Sequence, residues 1–221
     1  MVQRVSASDS PKRVYGGVSG EHRRAMRRSR LIDCAQSLFG TRGYANTSIE
    51  QLCAEANLST RSFYEQASSK EELLHAVFDE ITGRAAAAAV QAMEDADSSP
   101  LAERIRQGFR AYLDVSCATH KTARICYVEV IGVSQSMEDR RKEFRDKMIH
   151  MIIAETERAV RRGEAVARDY RYLAVLTIGA LNALAQDLTD GGVTVPCSRE
   201  EKLDKIVDEL TRVITAAMTG P

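Results

Sequence analysis

Five arginines fall within eight positions near the start of the chain, and they are the residues best suited to neutralise phosphate. They are Arg23, Arg24, Arg27, Arg28 and Arg30. The chain as a whole has no net charge, but residues 1–70 hold eleven Lys and Arg against six Asp and Glu, and residues 71–221 hold the opposite excess. A basic end on an acidic body is typical of a protein that meets phosphate at that end, although a solvated helix face would also explain these arginines.

A second group of residues has the chemistry of a metal site. Cys117-x-x-His120, with Cys126 nearby, supplies donor atoms that zinc accepts. No fourth ligand has a matching spacing, and the three residues fall in amphipathic helical patterns, so core thiols explain them better. The sequence also lacks a glycine-rich phosphate loop, a nucleophile elbow and an HExxH motif. We therefore predict no metal, no cofactor and no enzymatic activity, with a small helical enzyme as one alternative.

Length and composition indicate a soluble helical protein. Of the 221 residues 44% are hydrophobic, Trp is absent and there are only 4 Pro. No apolar run approaches the ~20 residues that a membrane-spanning helix needs, and the charged N-terminus does not have the pattern of a signal peptide. The 5 cysteines are odd in number and scattered, which indicates reduced thiols. We expect a cytoplasmic protein without membrane association.

Helical periodicity runs almost to the end of the chain, and no segment has a convincing strand pattern. Residues 1–22 are rich in Ser, Gly and charge, which predicts a disordered arm. Residues 23–70 form a first domain of three helices, and residues 71–221 form a larger helical body. After the helix that begins near residue 70, the pattern predicts five more at about 100–118, 121–133, 137–162, 169–189 and 199–218. The predicted fold class is all-α.

The second and third helices have the parts of a helix-turn-helix. The second helix begins with the capping box Thr47-Ser48-Ile49-Glu50, in which the Thr47 hydroxyl accepts a hydrogen bond from a free amide. Asn57 can adopt the left-handed conformation of a tight turn, and Ser59 caps a third helix that ends near Gln66. The exposed face of that helix offers Thr60, Arg61, Ser62 and Tyr64. A capped, polar helix of this kind can enter the DNA major groove.

Two stretches of this region follow a known family pattern: Phe39-x-x-x-Gly43-Tyr44-x-x-Thr47-Ser48-Ile49-x-x-Leu52-Cys53-x-x-Ala56-Asn57-Leu58-Ser59 and Phe63-Tyr64-x-x-x-Ser68-Ser69-Lys70-Glu71-Glu72-Leu73-Leu74. In these residues the region resembles the TetR family of bacterial regulators. The resemblance covers about residues 30–78 in order and without gaps. Two positions depart from the family pattern: Asn57 stands where Gly is common, and Ala67 stands where Phe is common. The second departure leaves a smaller side chain between the third and fourth helices.

The resemblance implies a transcriptional regulator of double-stranded DNA, most commonly a repressor. The DNA contacts that it implies are Thr47, Ser48, Ser59, Thr60, Arg61, Ser62, Tyr64, Lys70, Arg27 and Arg28. Arg61 would read guanine, and Tyr64 and Lys70 would bind phosphate. Lys70 stands at a helix N-terminus, where the dipole disfavours a cation unless an external phosphate offsets that cost. For Thr47 the capping role alone is a sufficient explanation, so both roles stay open.

For the larger body, the resemblance implies a helical domain that binds an effector and dimerises. The last two helices carry wide apolar stripes, which would either meet a symmetry mate in a four-helix bundle or pack within the monomer. A homodimer would place two reading helices on a palindromic operator. The effector would be small and hydrophobic or amphipathic. Its candidate contacts are Phe109, Tyr112, Tyr127, Ile131, Met148, Met151, Ile152, Glu155, Leu176 and Asn182, for each of which plain core packing is the alternative.

We therefore predict a ligand-released repressor that binds its operator as a dimer. A helical protein-interaction module without DNA binding is a further alternative, against which the basic cluster and the intact Arg61, Tyr64 and Lys70 argue. Glu129 is a carboxylate within an otherwise apolar stretch, and we expect an internal arginine, ahead of a cationic ligand, to pair with it.

Overall fold

A computed structural model describes residues 20–189 and 198–220, and these residues form helices without any strand. The helices are α1 (Gly20–Arg42), α2 (Ile49–Ala56), α3 (Thr60–Tyr64), α4 (Lys70–Asp95), α5 (Leu101–Ser116), α6 (His120–Arg124), α7 (Gln135–Arg161), α8 (Arg171–Asp187) and α9 (Arg199–Thr219). The predicted all-α fold class is confirmed. The predicted disordered arm lies outside the described residues up to residue 19, and α1 already begins at Gly20.

The N-terminal head consists of α1, α2, α3 and the start of α4, packed on one apolar core. Leu31, Phe39, Leu52, Phe63 and Leu74 form that core and are fully buried. The short helices begin at serines because a serine hydroxyl accepts a hydrogen bond from a free amide of the first turn. Burial of one large side chain from each element, more than helix propensity, holds such short helices in place.

The capping box of α2 lies one residue later than the sequence pattern predicted. Ser48 is the N-cap: its Oγ accepts from the Gln51 amide at 3.2 Å, and the Gln51 side chain accepts from the Ser48 amide at 2.9 Å. Thr47 is buried, and its hydroxyl donates to the Gly43 carbonyl at 2.8 Å. The prediction of a Thr47–Glu50 box was therefore wrong, because the hydroxyl of Thr47 already bonds the turn that precedes the helix.

The body is a helical bundle in which α4 runs from the head into the domain. Helix α4 packs along α5, α5 along α9, and α8 against α7 and α9. Apolar residues of these helices continue the head's core, and a smaller cluster between α5, α7 and α9 closes the far end. No helix in the described ranges has both the length and the apolar character for a membrane crossing.

One predicted helix of the body is broken in the structure. The pattern predicted a helix at about 121–133, but α6 ends at Arg124 and a π-helical segment follows at Ile125–Glu129. Gly132 then takes a positive φ of 70°, and Ser134 caps α7. A π-helix has more residues per turn than an α-helix. Residues in and directly after this segment therefore do not lie on the sides that α-helical spacing predicts.

Candidate nucleic-acid interface and internal cavities

Helix α3 presents an exposed polar face on a rigidly held turn. Asn57 joins α2 to α3 in the left-handed conformation, with φ 52° and ψ 51°, and Ser59 Oγ accepts from the Ser62 amide at 3.1 Å. The Arg61 side chain is 91% exposed, and its Nε lies 3.4 Å from Glu65 Oε1. Tyr64 is 55% exposed, and its ring packs edge-on against the buried Phe63 at 5.3 Å. Phe63 therefore anchors the helix while its neighbours face solvent.

The remaining predicted DNA contacts of the turn divide into exposed and buried positions. Ser48, Ser59 and Thr60 are exposed, and Ser62 is half-buried. Thr47 has 1% of its surface exposed, so its side chain does not belong to the outer face. The capping pattern suggested the helix start but did not show which of two adjacent hydroxyls would bond inward.

The positive charge of Lys70 is stabilised by groups inside the head. Its ammonium donates to the carbonyls of Tyr44 and Thr47, each at 2.9 Å, and lies 4.2 Å from the centre of the Tyr44 ring. Burial lowers the pKa of Lys70 below its ordinary value. The partial negative charges of these carbonyl oxygens offset the unfavourable position of the ammonium at the helix N-terminus, a role that we expected an external phosphate to have. The third ammonium proton remains for an outside acceptor. Lys70 thus holds the turn between α1 and α2.

The arginines of α1 have different environments. Arg24 Nη2 donates to the Glu65 carbonyl at 3.1 Å, and Arg28 Nη1 donates to the Gln66 carbonyl. Both carbonyls follow the last turn of α3, where the helix dipole favours cations. Arg27 is half-buried and makes no hydrogen bond or ion pair with the other described residues. Arg28 therefore positions α3, whereas the guanidinium of Arg27 stays available to phosphate.

This difference predicts opposite behaviour of two neighbouring variants in DNA-binding titrations over a range of salt concentrations. We expect Arg28→Ala to weaken operator binding about fivefold, from loss of a bond worth ~1 kcal/mol, with the salt dependence unchanged. We expect Arg27→Ala to lower the slope of log K against log salt by about 0.9, the value for one phosphate contact. A lowered slope in Arg28→Ala would contradict the positioning role of Arg28.

A polar cluster joins the head to the body beside the π-helical segment. Glu129 Oε2 accepts from the Tyr44 amide at 2.6 Å, and Glu129 Oε1 accepts from Arg124 Nε at 2.8 Å. Arg124 Nη1 also donates to the Thr41 carbonyl at 3.0 Å, and Lys121 Nζ donates to Ser37 Oγ at 3.0 Å. The expected internal pairing of Glu129 is confirmed. Its contact with the head was missed, because nothing in the local sequence shows that the two segments meet.

The body contains a mainly apolar cavity of about 400 Å³ between α4, α5, α7, α8 and α9, which is partly open to solvent. Six of the predicted effector contacts line it: Phe109, Tyr112, Met148, Met151, Ile152 and Glu155. Met93 and Ile105 add to the wall, although the sequence pattern did not distinguish them from other core residues. Flexible methionine side chains make such a wall adaptable to ligands of different shapes.

The other four predicted effector contacts do not line this cavity. Tyr127 and Asn182 line a second cavity of about 270 Å³. Ile131 is exposed in the turn after the π-helical segment, where α-helical spacing no longer applies. Leu176 is 68% exposed, because Ala174, Thr177 and Ile178 take the inward face of α8. Since α8 is apolar on both sides, its pattern did not show which side is inward.

A buried ion-pair cluster closes one end of the first cavity. Arg104 has no exposed side-chain surface, and its guanidinium donates to Glu164 at 2.9 and 2.5 Å. Glu155 Oε1 lies 3.7 Å from Arg104 Nε, and Glu155 Oε2 lies 3.2 Å from Arg158 Nε. The hydrogen bonds from Arg104 lower the pKa of Glu164 below its ordinary value. Two arginines thus balance the charge of Glu155, while its Oε1 accepts no hydrogen bond from the described residues.

Two cysteines of the body are part of its core. Cys117 and Cys126 are buried, and burial raises the pKa of both thiols. His120 is exposed, with Nε2 at 3.1 Å from the Thr189 carbonyl. Within the described part of the chain, no three His, Cys, Asp or Glu side chains come together as a metal ion would require.

Residues 31–77 match the model of a family described as bacterial regulatory proteins, tetR family. The match spans α1 from Leu31 through the first two turns of α4, and so includes the whole helix-turn-helix. This is a family of DNA-binding regulators, which argues against the enzyme alternative. A search of curated proteins gave no match.

Solved structures share the fold over most of the chain. FadR from Bacillus halodurans has a TM-score of 0.73 at 16% identity, covering 86% of this chain and 94% of its own. FadR from Bacillus subtilis, solved in complex with stearoyl-CoA, has a TM-score of 0.73 at 12% identity, covering 86% and 98%. The TetR-family regulator PfmR from Thermus thermophilus has a TM-score of 0.65 at 22% identity, covering 83% and 97%. The arrangement of head and body is therefore that of TetR-family structures.

Proposed function

We propose that this chain, which belongs to the TetR family of bacterial transcriptional regulators, is a repressor that binds a palindromic operator as a homodimer and is released by a small effector. The observation that carries the proposal is the exposed face of α3, where Thr60, Arg61 and Tyr64 surround an anchored Phe63. DNA-binding regulation follows from the family, and the mode of regulation is our inference. The protein would act in the cytoplasm, where bacterial DNA lies.

The chemistry of α3 suits sequence reading in the major groove. Among the described residues the Arg61 side chain makes one loose ion pair, so its guanidinium can donate two hydrogen bonds to guanine, a contact worth ~1–3 kcal/mol. The Tyr64 hydroxyl and the exposed Ser48 and Ser59 lie where phosphate contacts would fix the register. Arg24 and Arg28 hold the end of α3 in place, so less conformational entropy is lost when α3 binds DNA.

Selection from a randomised DNA pool tests this proposal. We expect the purified full-length protein to enrich a two-fold symmetric site, and the Arg61→Ala/Tyr64→Ala variant to lose that enrichment while it keeps its thermal stability. Surface substitutions usually change stability by less than ~0.5 kcal/mol, so the variant separates reading from folding. Enrichment of an asymmetric site would contradict the dimeric palindrome, and equal enrichment by the variant would contradict reading by α3.

The proposed dimer interface is the outer face of α8 and α9. Tyr172 is 77% exposed, and Val175, Leu176 and Val213 are also exposed apolar residues. A Cβ added at Gly179 would have no atom within 4 Å, so a partner helix can approach closely there. Exposed apolar surface of this kind favours self-association, and two helices from each subunit make a four-helix bundle. Each subunit would then contribute one reading helix.

The proposed effector is small and mainly apolar. The first cavity has apolar walls from five helices, and its charged end is already neutralised by internal ion pairs. FadR from Bacillus subtilis shares the fold and forms a complex with stearoyl-CoA, which agrees with an effector that carries an apolar chain. An effector of this kind gains binding free energy by burying that chain.

Release would pass through the π-helical segment. Cys126 and Tyr127 of this segment line the second cavity, whereas Glu129 at its end binds the Tyr44 amide in the head. A ligand that displaces the segment would move the turn before α2 and change the distance between the two reading helices of a dimer. Such a ligand releases DNA only in proportion to its preference for the displaced state.

A further inference from the structure

The second cavity lies directly beside the first and shares part of its wall. It is bounded by α4, α5, the π-helical segment, α7 and α8. Tyr112, Met148, Ile178 and Leu181 line both cavities. Met148 also lines a third depression between α4 and α7, so it stands at the junction of all three spaces. Because methionine is unbranched and has three rotatable bonds, its rotation can connect neighbouring cavities without backbone movement.

The second cavity differs from the first in the charged side chains at its rim. Arg141, Lys142 and Arg145 stand there against Glu138 and Asp139. Both carboxylates already have donors: Glu138 accepts from the Gly132 amide at 2.8 Å and from Arg141 at 2.6 Å, and Asp139 accepts from the Gln135 amide group at 2.9 Å.

Two of the three cations at the rim of the second cavity are unpaired within the described residues. Lys142 and Arg145 are exposed and make no hydrogen bond or ion pair within the described part of the chain. At the first cavity Arg158 is bound to Asp97 and Glu155. Arg161 and Glu94 also line this cavity, and neither side chain has a hydrogen bond or ion pair with another described residue. The lining of the second cavity therefore has an excess of positive charge, with three cations against two carboxylates, whereas the lining of the first cavity has two of each.

We propose that the two cavities form one bipartite site for a single anionic amphiphile. Its apolar chain occupies the first cavity, passes Met148, and ends in a carboxylate or phosphate head that Lys142 and Arg145 bind at the second. This inference rests on the proposed effector site and specifies its ligand class. It also gives the head group a role in regulation, because the head would lie beside Tyr127 of the π-helical segment. A purely apolar ligand would fill only the first cavity and would not reach this segment.

Calorimetry with three ligands of equal chain length tests the bipartite site on the full-length protein. The ligands are dodecanoate, dodecyl phosphate and uncharged 1-dodecanol. We expect the tighter-binding anion to bind at least about tenfold more tightly than dodecanol, because charge-assisted hydrogen bonds are stronger than neutral ones. The comparison between the two anions identifies the preferred head group. The Lys142→Ala/Arg145→Ala variant is expected to lose this preference and to keep its affinity for dodecanol. The matched control is Arg161→Ala, which is expected to keep the preference.

The possible failures distinguish this inference from the proposed function. A preference that survives in Lys142→Ala/Arg145→Ala, or is lost in Arg161→Ala, overturns the placement of the head. Equal binding of all three ligands by the unaltered protein overturns the bipartite site but leaves the apolar effector cavity in place. Binding of none of them, with operator binding intact, overturns both the bipartite site and the proposed effector class.

Discussion

Replacing Arg104 with methionine is expected to lower the free energy of unfolding by about 3 kcal/mol, the lower end of the range for breaking a buried ion pair. The guanidinium is fully buried and bonds both oxygens of Glu164, and the loss of this partner leaves a partly buried carboxylate uncompensated. Glu155 loses a neighbouring cation at the same time. Urea unfolding at neutral pH measures the change. The matched control on the same helix is Arg106→Met, whose ion pair with Asp208 is exposed and is expected to contribute less than ~1 kcal/mol.

The same variant changes the acid dependence of stability. Because Arg104 lowers the pKa of Glu164 in the folded protein, ionised Glu164 stabilises the fold above the unfolded pKa of about 4.3. That contribution is lost as the pH falls through the lower folded pKa. We expect the unaltered protein to lose this stability under acid and Arg104→Met to lose less, since protonation relieves its unpaired carboxylate. Equal losses in both proteins would contradict the assignment.

Gly40→Ala is expected to force the head and the body apart. A Cβ at Gly40 would lie 2.5 Å from Lys121 Cβ and 2.7 Å from Lys121 Cα, and the backbone of α6 cannot yield as a flexible side chain would. Overpacking of this kind costs ~1–3 kcal/mol. Since the contact lies between α1 and α6, we also expect weaker operator binding. Thermal unfolding and DNA titration measure the two effects.

The control for this prediction is Gly83→Ala in α4. A Cβ at Gly83 has no atom within 4 Å, so alanine there is expected to stabilise the helix by about 0.5–1 kcal/mol. Both substitutions replace a glycine inside a helix with the same residue, and only the space around it differs. Equal stability of the two variants would contradict the close contact between α1 and α6.

The sequence predicted the helices and their ends where a local rule determines them. Asn57 adopts the left-handed turn, Ser59 caps α3, and Gly163 with a φ of 72° follows α7, as their types indicated. Helix caps and tight turns depend on neighbours within four residues, so the chain itself contains the information. The exposed polar face of α3 could be predicted for the same reason.

The parts that the sequence did not predict depend on contacts between distant segments. Arg28 was expected to bind phosphate, but it bonds the Gln66 carbonyl, 38 residues later in the chain. Leu176 was placed in the effector cavity, although helix periodicity does not distinguish two apolar faces of α8. The π-helical segment changed the register from Ile125 to the turn before α7, and no residue type specifies such a turn. Packing between elements decides each of these outcomes.

The proposed release mechanism couples filling of the cavities to operator binding through the contact between Glu129 and the head. The most direct test is the affinity of dodecanoate for the free protein and for the protein saturated with its selected operator. We expect binding to the operator complex to be at least about tenfold weaker, and dodecanoate to weaken operator binding by the same factor, as linkage requires. Equal dodecanoate affinities in the two states would contradict the account.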